Sequence, residues 1–146
     1  MLFALDTSTS WISLALFDGT FLRYEVTWET QHHHTVELAP ALERMIKSTG
    51  IKPSELTGLA VATGPGSFTS LRIGVSFIKG MALAVNIPLV GIPSLDVIAK
   101  AQPLDERPMV AVLHAGRQRL ACGTYHVVGG EWVAQGEPVV LDARDL

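Results

Sequence analysis

Residues Phe68 to Val85 carry only two charges, Arg72 and Lys79, while Leu71, Ile73, Val75, Phe77, Ile78, Met81, Leu83 and Val85 fall on every side of a helical projection. A helix that is apolar all round requires cover on two faces. One face can lie on a sheet; the other must meet a second helix, a further layer or another subunit. The wider stretch from Leu71 to Ile92 approaches the length of a membrane span, but Lys79 sits within it and Asn86 and Pro88 interrupt it. It reads as a buried helix followed by a buried strand, with no membrane partner.

The segments before this helix alternate with period two. Leu2 to Leu5 is a short apolar run ending in Asp6. Trp11 to Phe17 places Ile12, Leu14 and Leu16 on one face, and Phe21 to Thr27 returns with Leu22, Tyr24 and Val26. Asp18-Gly19 between the last two predicts a two-residue hairpin, making the opening a three-stranded meander. A first helix follows, with Leu38, Ala39, Leu42, Met45 and Ile46 on one stripe, Pro40 in its early turns, and Gly50 and Pro53 ending it. Leu59 to Ala62 reads as a strand running into Gly64-Pro65-Gly66, Pro88 to Ile92 as another strand, and Ser94 to Ala101 as a third helix.

The pattern then repeats. Met109 to His114 echoes Met1 to Asp6, Leu120 to Val127 echoes Trp11 to Phe17, Gly129-Gly130 replaces the Asp18-Gly19 turn, and Glu131 to Ala134 returns. The expected architecture is α/β: a lobe over 1–103 with a mixed sheet in the order βββαβαβ(α), then over 104–146 the first three strands of an incomplete second copy. Such a second sheet without its helices has one bare face, which calls for more chain or a partner. With 48% hydrophobic and 17% charged residues the chain is no disordered segment, and a net charge of −3 excludes a strongly basic nucleic-acid binder. Cys122 is the only cysteine, which rules out an internal disulfide and fits a reducing compartment; the start has no basic signal region, so the expected address is cytoplasmic.

Two turns have the chemistry to hold an anion. Asp6-Thr7-Ser8-Thr9-Ser10 offers amides, hydroxyls and a carboxylate between two strands, and a self-satisfied turn is the competing reading. Gly64-Pro65-Gly66-Ser67-Phe68-Thr69 opens a helix whose first N–H groups point outward. It lacks the Lys-Ser/Thr of a P-loop, the third glycine of a dinucleotide fingerprint and the Gly-x-Ser-x-Gly order of a nucleophile elbow. His32-His33-His34 reads as a solvated loop rather than a metal site, His114 and His126 have no supporting carboxylate spacing, and Cys122 reads as a small core residue.

Taken together, Ala4-Leu5-Asp6-Thr7-Ser8, His34-Thr35 and Gly64-Pro65-Gly66-Ser67-Phe68-Thr69-Ser70-Leu71-Arg72-Ile73-Gly74 resemble the TsaB (YeaZ) group of the glycoprotease-like family, densely over residues 1 to about 100. The resemblance implies an actin/sugar-kinase/Hsp70-like (RNase H-like) fold and a part in making threonylcarbamoyladenosine beside the tRNA anticodon. It implies a non-catalytic subunit, no enzyme in itself, beside a TsaD-like subunit that holds metal and donor and a TsaE-like ATPase. On that reading ATP or ADP and metal belong to the partners, tRNA is met only through the complex, and the isolated chain homodimerises. Where TsaD carries a His-x-x-x-His metal motif, this sequence reads Ile92-Pro93-Ser94-Leu95-Asp96-Val97-Ile98, with no histidine, which the resemblance reads as a pseudoenzyme. Ser70 stands where the group usually has Gly, and His114-Ala115-Gly116-Arg117 stands where Asp-Ala-Arg is expected.

The resemblance also implies docking through the first two helices, which assigns Leu38, Leu42, Met45, Leu71, Val75, Ile78 and Met81 to a partner interface. It leaves Asp6, Thr7, Ser8, Thr9, Gly64, Gly66 and Ser67 as a vestigial phosphate site, with no catalytic and no metal residues. The competing functions are a phosphate- or ATP-handling enzyme of the actin-like class and, a distant third, a glycoprotease-type metallopeptidase.

Overall fold

The computed structural model describes residues 1–30, 34–116, 118–142 and 144 of the 146-residue chain. β1 (Leu2–Asp6), β2 (Trp11–Phe17) and β3 (Leu22–Glu29) form the antiparallel meander. α1 (His34–Thr49), β4 (Gly58–Gly64), α2 (Phe68–Val85), β5 (Leu89–Pro93) and α3 (Ser94–Lys100) follow. The sheet order is β3-β2-β1-β4-β5, with β4 parallel to both β1 and β5. This is the mixed sheet and element order that the periodicities predict.

The register explains why one face is the core. Tyr24, Leu16, Phe3, Leu59 and Leu89 are neighbours across five strands, and Val26, Leu14, Leu5 and Val61 form the next row. Because paired residues share a face, these rows make a continuous apolar surface. Phe3, Leu5, Ile12, Leu14, Leu16, Leu59 and Val61 are all buried there, with Leu38, Ala41 and Met45 of α1 and Ile78 of α2. On α1 the buried stripe is therefore Leu38, Ala41 and Met45; Ala39 is exposed, and Leu42 and Ile46 lie on the flank. A side chain as short as Ala39 leaves its ridge open to water. Pro40 sits in the second turn.

α2 comes closest to the sheet along Ser70, Gly74 and Ile78, its fully buried stripe. A Cβ built on Gly74 would overlap Thr7 Oγ1, and that hydroxyl donates to the Ser70 carbonyl at 2.9 Å. Small residues at two successive turns thus let the helix backbone touch the end of β1. The helix is covered on one side only: Phe68 is 73% and Leu83 85% exposed. β5 is likewise no buried strand, because as the edge strand it leaves Val90 and Ile92 in solvent.

The second unit has a sheet of its own, β6 (Met109–His114), β7 (Arg119–Val128) and β8 (Glu131–Ala134), to which the structure adds β9 (Val139–Asp142). β8 pairs with the Tyr125–Val128 end of β7 and β9 with its Arg119–Cys122 end, so both occupy the edge away from β6. Its core is Ala111, Leu113, Ala121, Tyr125 and Trp132 closed over by Leu95 and Ala99 of α3. α3 thus packs its apolar side on the second sheet, while Ser94 Oγ accepts from Gly64 N of the first at 3.1 Å. Tyr125 donates to Asp96 Oδ1 at 2.6 Å, and burial together with this bond pushes its phenol well above the ordinary value. On the other face Val110, Val112, Val133 and Val139 are exposed, the bare surface anticipated for this sheet. Cys122 pairs with Val112 and Val139 on that outer face and is half-buried, so it is no core residue; strand alternation gives the core to Ala121 instead.

The two turns differ from each other. Gly129-Gly130 closes a two-residue hairpin with both φ positive, as expected. At Asp18-Gly19 the turn is longer: Asp18 Oδ1 accepts from Thr20 N and Phe21 N at 2.8 and 2.7 Å, and pairing resumes only at Phe17 with Leu22. The Asp18 carboxylate organises the turn, and those two amides lower its pKa.

Two glycines on α2 give opposite expectations. Gly74→Ala should destabilise by about 2–4 kcal/mol, through overpacking and loss of the Thr7 hydrogen bond. Gly80, with nothing within 4 Å of an added Cβ, should gain about 0.5–1 kcal/mol as Ala. Urea midpoints of the two variants check both signs. Tyr125→Phe should cost about 1–2 kcal/mol below the ordinary tyrosine pKa. Because the folded pKa is raised, the wild-type advantage present below about pH 10 should fade as pH rises further. Denaturant melts of both proteins at increasing pH would show it.

Candidate functional site

β1 and β4 run parallel side by side, so the turns that follow them emerge together at one end of the sheet. That brings Asp6, Thr7, Ser8 and Thr9 against Gly64, Gly66 and Ser67, as a shared site requires. What fills the junction is the chain itself. Ser67 N donates to Ser8 O at 2.7 Å, Ser8 N to Asp6 Oδ1 at 2.7 Å, Trp11 N to Thr9 Oγ1 at 3.0 Å, and Ser67 Oγ pairs with Ser70 Oγ at 2.9 Å. Thr7 is engaged with Ser70, and a Cβ on Gly66 would overlap the Ser8 carbonyl. Ser67 N and Thr7 Oγ1 tie the two turns to each other, while the Ser8 amide and the Thr9 and Ser67 hydroxyls are engaged within their own turns. Gly64 has φ +104, a conformation suited to glycine, and the Gly64-Pro65 peptide is cis.

Of the residues assigned to a partner interface, Leu38, Met45 and Ile78 are at most 1% exposed, and Val75 and Met81 pack on the same core. Leu38, Met45 and Ile78 close the chain's own core, so the interface assignment of these three is corrected, while Val75 and Met81 are only partly covered by it. Leu42 and Leu71 are half-buried at its margins. The outward stripe is Phe68, Arg72, Ser76, Lys79 and Leu83, all exposed at steps of four, four, three and four residues. Its sequence signal is the position of the only two charges on the helix, seven residues apart on one side.

Between α1 and α2 lies a groove of about 550 Å³ lined by Thr35, Leu38, Phe68, Thr69, Arg72, Ile73, Ser76 and Phe77. The Arg72 guanidinium sits over the Phe68 ring at 5.4 Å. α1 is held at the sheet edge by Glu37, whose carboxylate accepts from Trp28 Nε1 at 2.6 Å and from Thr30 Oγ1 at 3.1 Å. Nothing in local sequence marks this clamp, because its partners are joined only by the return of α1 across β3. Among the described residues no three of His, Cys, Asp and Glu are grouped to hold a metal; His32 and His33 lie outside the described residues. Within the segment where the resemblance looks for metal histidines, Ser94 is bonded to Gly64 and Leu95 is buried in the second core.

A family model described as TsaD, tRNA N6-adenosine threonylcarbamoyltransferase, matches residues 27–145. The chain belongs to the TsaD family. Within it, the chain is 29% identical to the tRNA threonylcarbamoyladenosine biosynthesis protein TsaB of Bacillus subtilis, over 94% of this chain and 61% of that protein. It is 33% identical to the Escherichia coli TsaB, over 66% and 42% respectively. YeaZ from Pseudomonas aeruginosa superposes with a TM-score of 0.87 at 27% identity, covering 97% of this chain and 67% of that one. The fold is accordingly of the actin-like, RNase H-like type. The chain spans between two fifths and two thirds of the length of these TsaD-family relatives.

A carboxylate at position 78 has no partner in the core, so Ile78→Glu should abolish the cooperative unfolding transition, whereas Phe68→Glu, on the outward stripe, should shift stability by less than about 1 kcal/mol. Thermal melts followed by circular dichroism separate the two.

Proposed function

We propose that this chain is a non-catalytic docking subunit in the synthesis of threonylcarbamoyladenosine next to the tRNA anticodon, and that its α1–α2 face receives a TsaD-like catalytic subunit. The observation that carries this reading is the outward stripe of α2: Phe68 and Leu83, the two most exposed large apolar side chains of that helix, stand at its two ends, and Phe68 lines the apolar groove against α1. Large exposed apolar side chains beside a groove are the usual make-up of an interface centre. The junction of the two turns supports the same reading, because Ser8 N, Ser67 N and the Thr7 hydroxyl bond to the chain's own groups.

On this reading the chain acts in the cytoplasm and contributes a surface to the assembly. The TsaD-like partner carries the metal and the transfer chemistry, a TsaE-like ATPase handles ATP and ADP, and tRNA is met through the complex. Isolated chains pair weakly through the same face.

Mixing the chain with the TsaD-family catalytic protein of the same organism should give a one-to-one complex by size exclusion with light scattering. Phe68→Asp and Leu83→Asp should each weaken it by about tenfold or more while the fold stays intact. A complex indifferent to both would move the interface elsewhere. Calorimetry with ATP and Mg²⁺ should give no binding heat from the chain alone; micromolar binding would favour a nucleotide-handling enzyme instead.

A further inference from the structure

α1 and α2 form a cationic layer on an anionic chain. They carry Arg44, Lys47, Arg72 and Lys79 against only Glu37 and Glu43, while the chain as a whole has a net charge of −3. Glu43 is ion-paired with Lys47, and the Glu37 carboxylate accepts from Trp28 and Thr30. α2 contains no acidic residue, and among the described residues no ion pair involves Arg72 or Lys79. Both cations are exposed, about 10 Å apart along the helix, between the apolar ends Phe68 and Leu83.

We propose that Arg72 and Lys79 select the occupant of this face: a heterologous protein helix presenting two carboxylates about two turns apart, in preference to a second copy of this chain. The inference rests on the docking reading above and adds a rule for partner choice. If two copies overlay the full stripe about a twofold axis, Arg72 meets Lys79 of the other copy where the helices run antiparallel, and each cation meets its own counterpart where they run parallel. Closing the apolar ends then strips water from like charges, an arrangement that disfavours self-pairing. A carboxylate opposite each cation removes the conflict. Arg72, steadied over Phe68, presents its planar fork at the groove mouth, where a carboxylate can accept two parallel N–H bonds. The apolar lining from Leu38, Ile73 and Phe77 favours a protein over a nucleic-acid occupant.

The test is sedimentation equilibrium of the chain alone and with the TsaD-family catalytic protein at about 50 mM and about 500 mM NaCl. Affinity for that protein should fall by about tenfold as salt rises, while self-association should hold or tighten because repulsion is screened. The double variant Arg72→Glu, Lys79→Glu should lose the heterologous complex by about tenfold or more at low salt, and an equimolar mixture of this variant with wild type should form a mixed pair tighter than either protein alone. The neutral variant Arg72→Gln, Lys79→Gln should fall between them, and thermal melts confirm that each variant is folded.

The proposal is overturned if the charge-reversed chain binds the catalytic protein as well as wild type, if wild-type self-association is tightest at low salt, or if no mixed pair forms. It is also overturned if free tRNA binds this face and the double variant abolishes that binding. Should wild type fail to bind the catalytic protein at either salt, the docking reading falls, and the mixed-pair experiment still decides the charge rule.

Discussion

The contact on which the rest of this structure depends is the approach of α2 to the end of β1. Gly74 has no side chain, so the helix backbone reaches Thr7, and the Thr7 hydroxyl closes on the Ser70 carbonyl. A helix held this close must begin where β4 ends, which drives Gly64, Pro65 and Gly66 into a turn lying on Ser8. The same constraint fixes which side of α2 looks outward. With Ser70, Gly74 and Ile78 against the sheet, the opposite stripe from Phe68 to Leu83 has no choice but solvent or a partner. Docking face and loop junction are therefore two consequences of one helix–strand contact.

That contact also gives a physical account of the loop junction. Folds with two adjacent turns at one end of a parallel strand pair are well suited to binding anions, because free amides converge there. Here the turns lie so close that the Ser67 amide donates to the Ser8 carbonyl and a Cβ on Gly66 would overlap that same carbonyl. Beyond the junction, Ser94 ties the two sheets together and Leu95 fills the second core.

Much of the architecture was legible because it is local. Alternation of Ile12, Leu14 and Leu16, the sharp Gly64 to Ser67 turn, the apolar run from Phe68 to Val85 and the Gly129-Gly130 hairpin each state their own conformation within a few residues. The turn at Asp18 departs from a two-residue hairpin because a side-chain carboxylate, not backbone preference, organises it. β9 is four residues long, and its place is set by the free edge of β7 rather than by its own pattern. Residue type favours Cys122 for the core, whereas strand phase gives that place to Ala121.

Spacing along the chain is enough to specify an α/β protein with a mixed sheet and a second sheet after it, and one helix with more apolar surface than a single layer can cover. Periodicity suffices for this, since it depends only on spacing along the chain. Which side of that helix is covered was decided by tertiary structure alone. A helical projection finds apolar residues on every side and so cannot choose among them; Leu71, Val75, Ile78 and Met81 are named for a partner only by the resemblance. The sheet takes the side of Ser70, Gly74 and Ile78, where burial within one chain carries no cost of association. What remains for a partner is the weaker stripe with Arg72 and Lys79, and only the packed core reveals it.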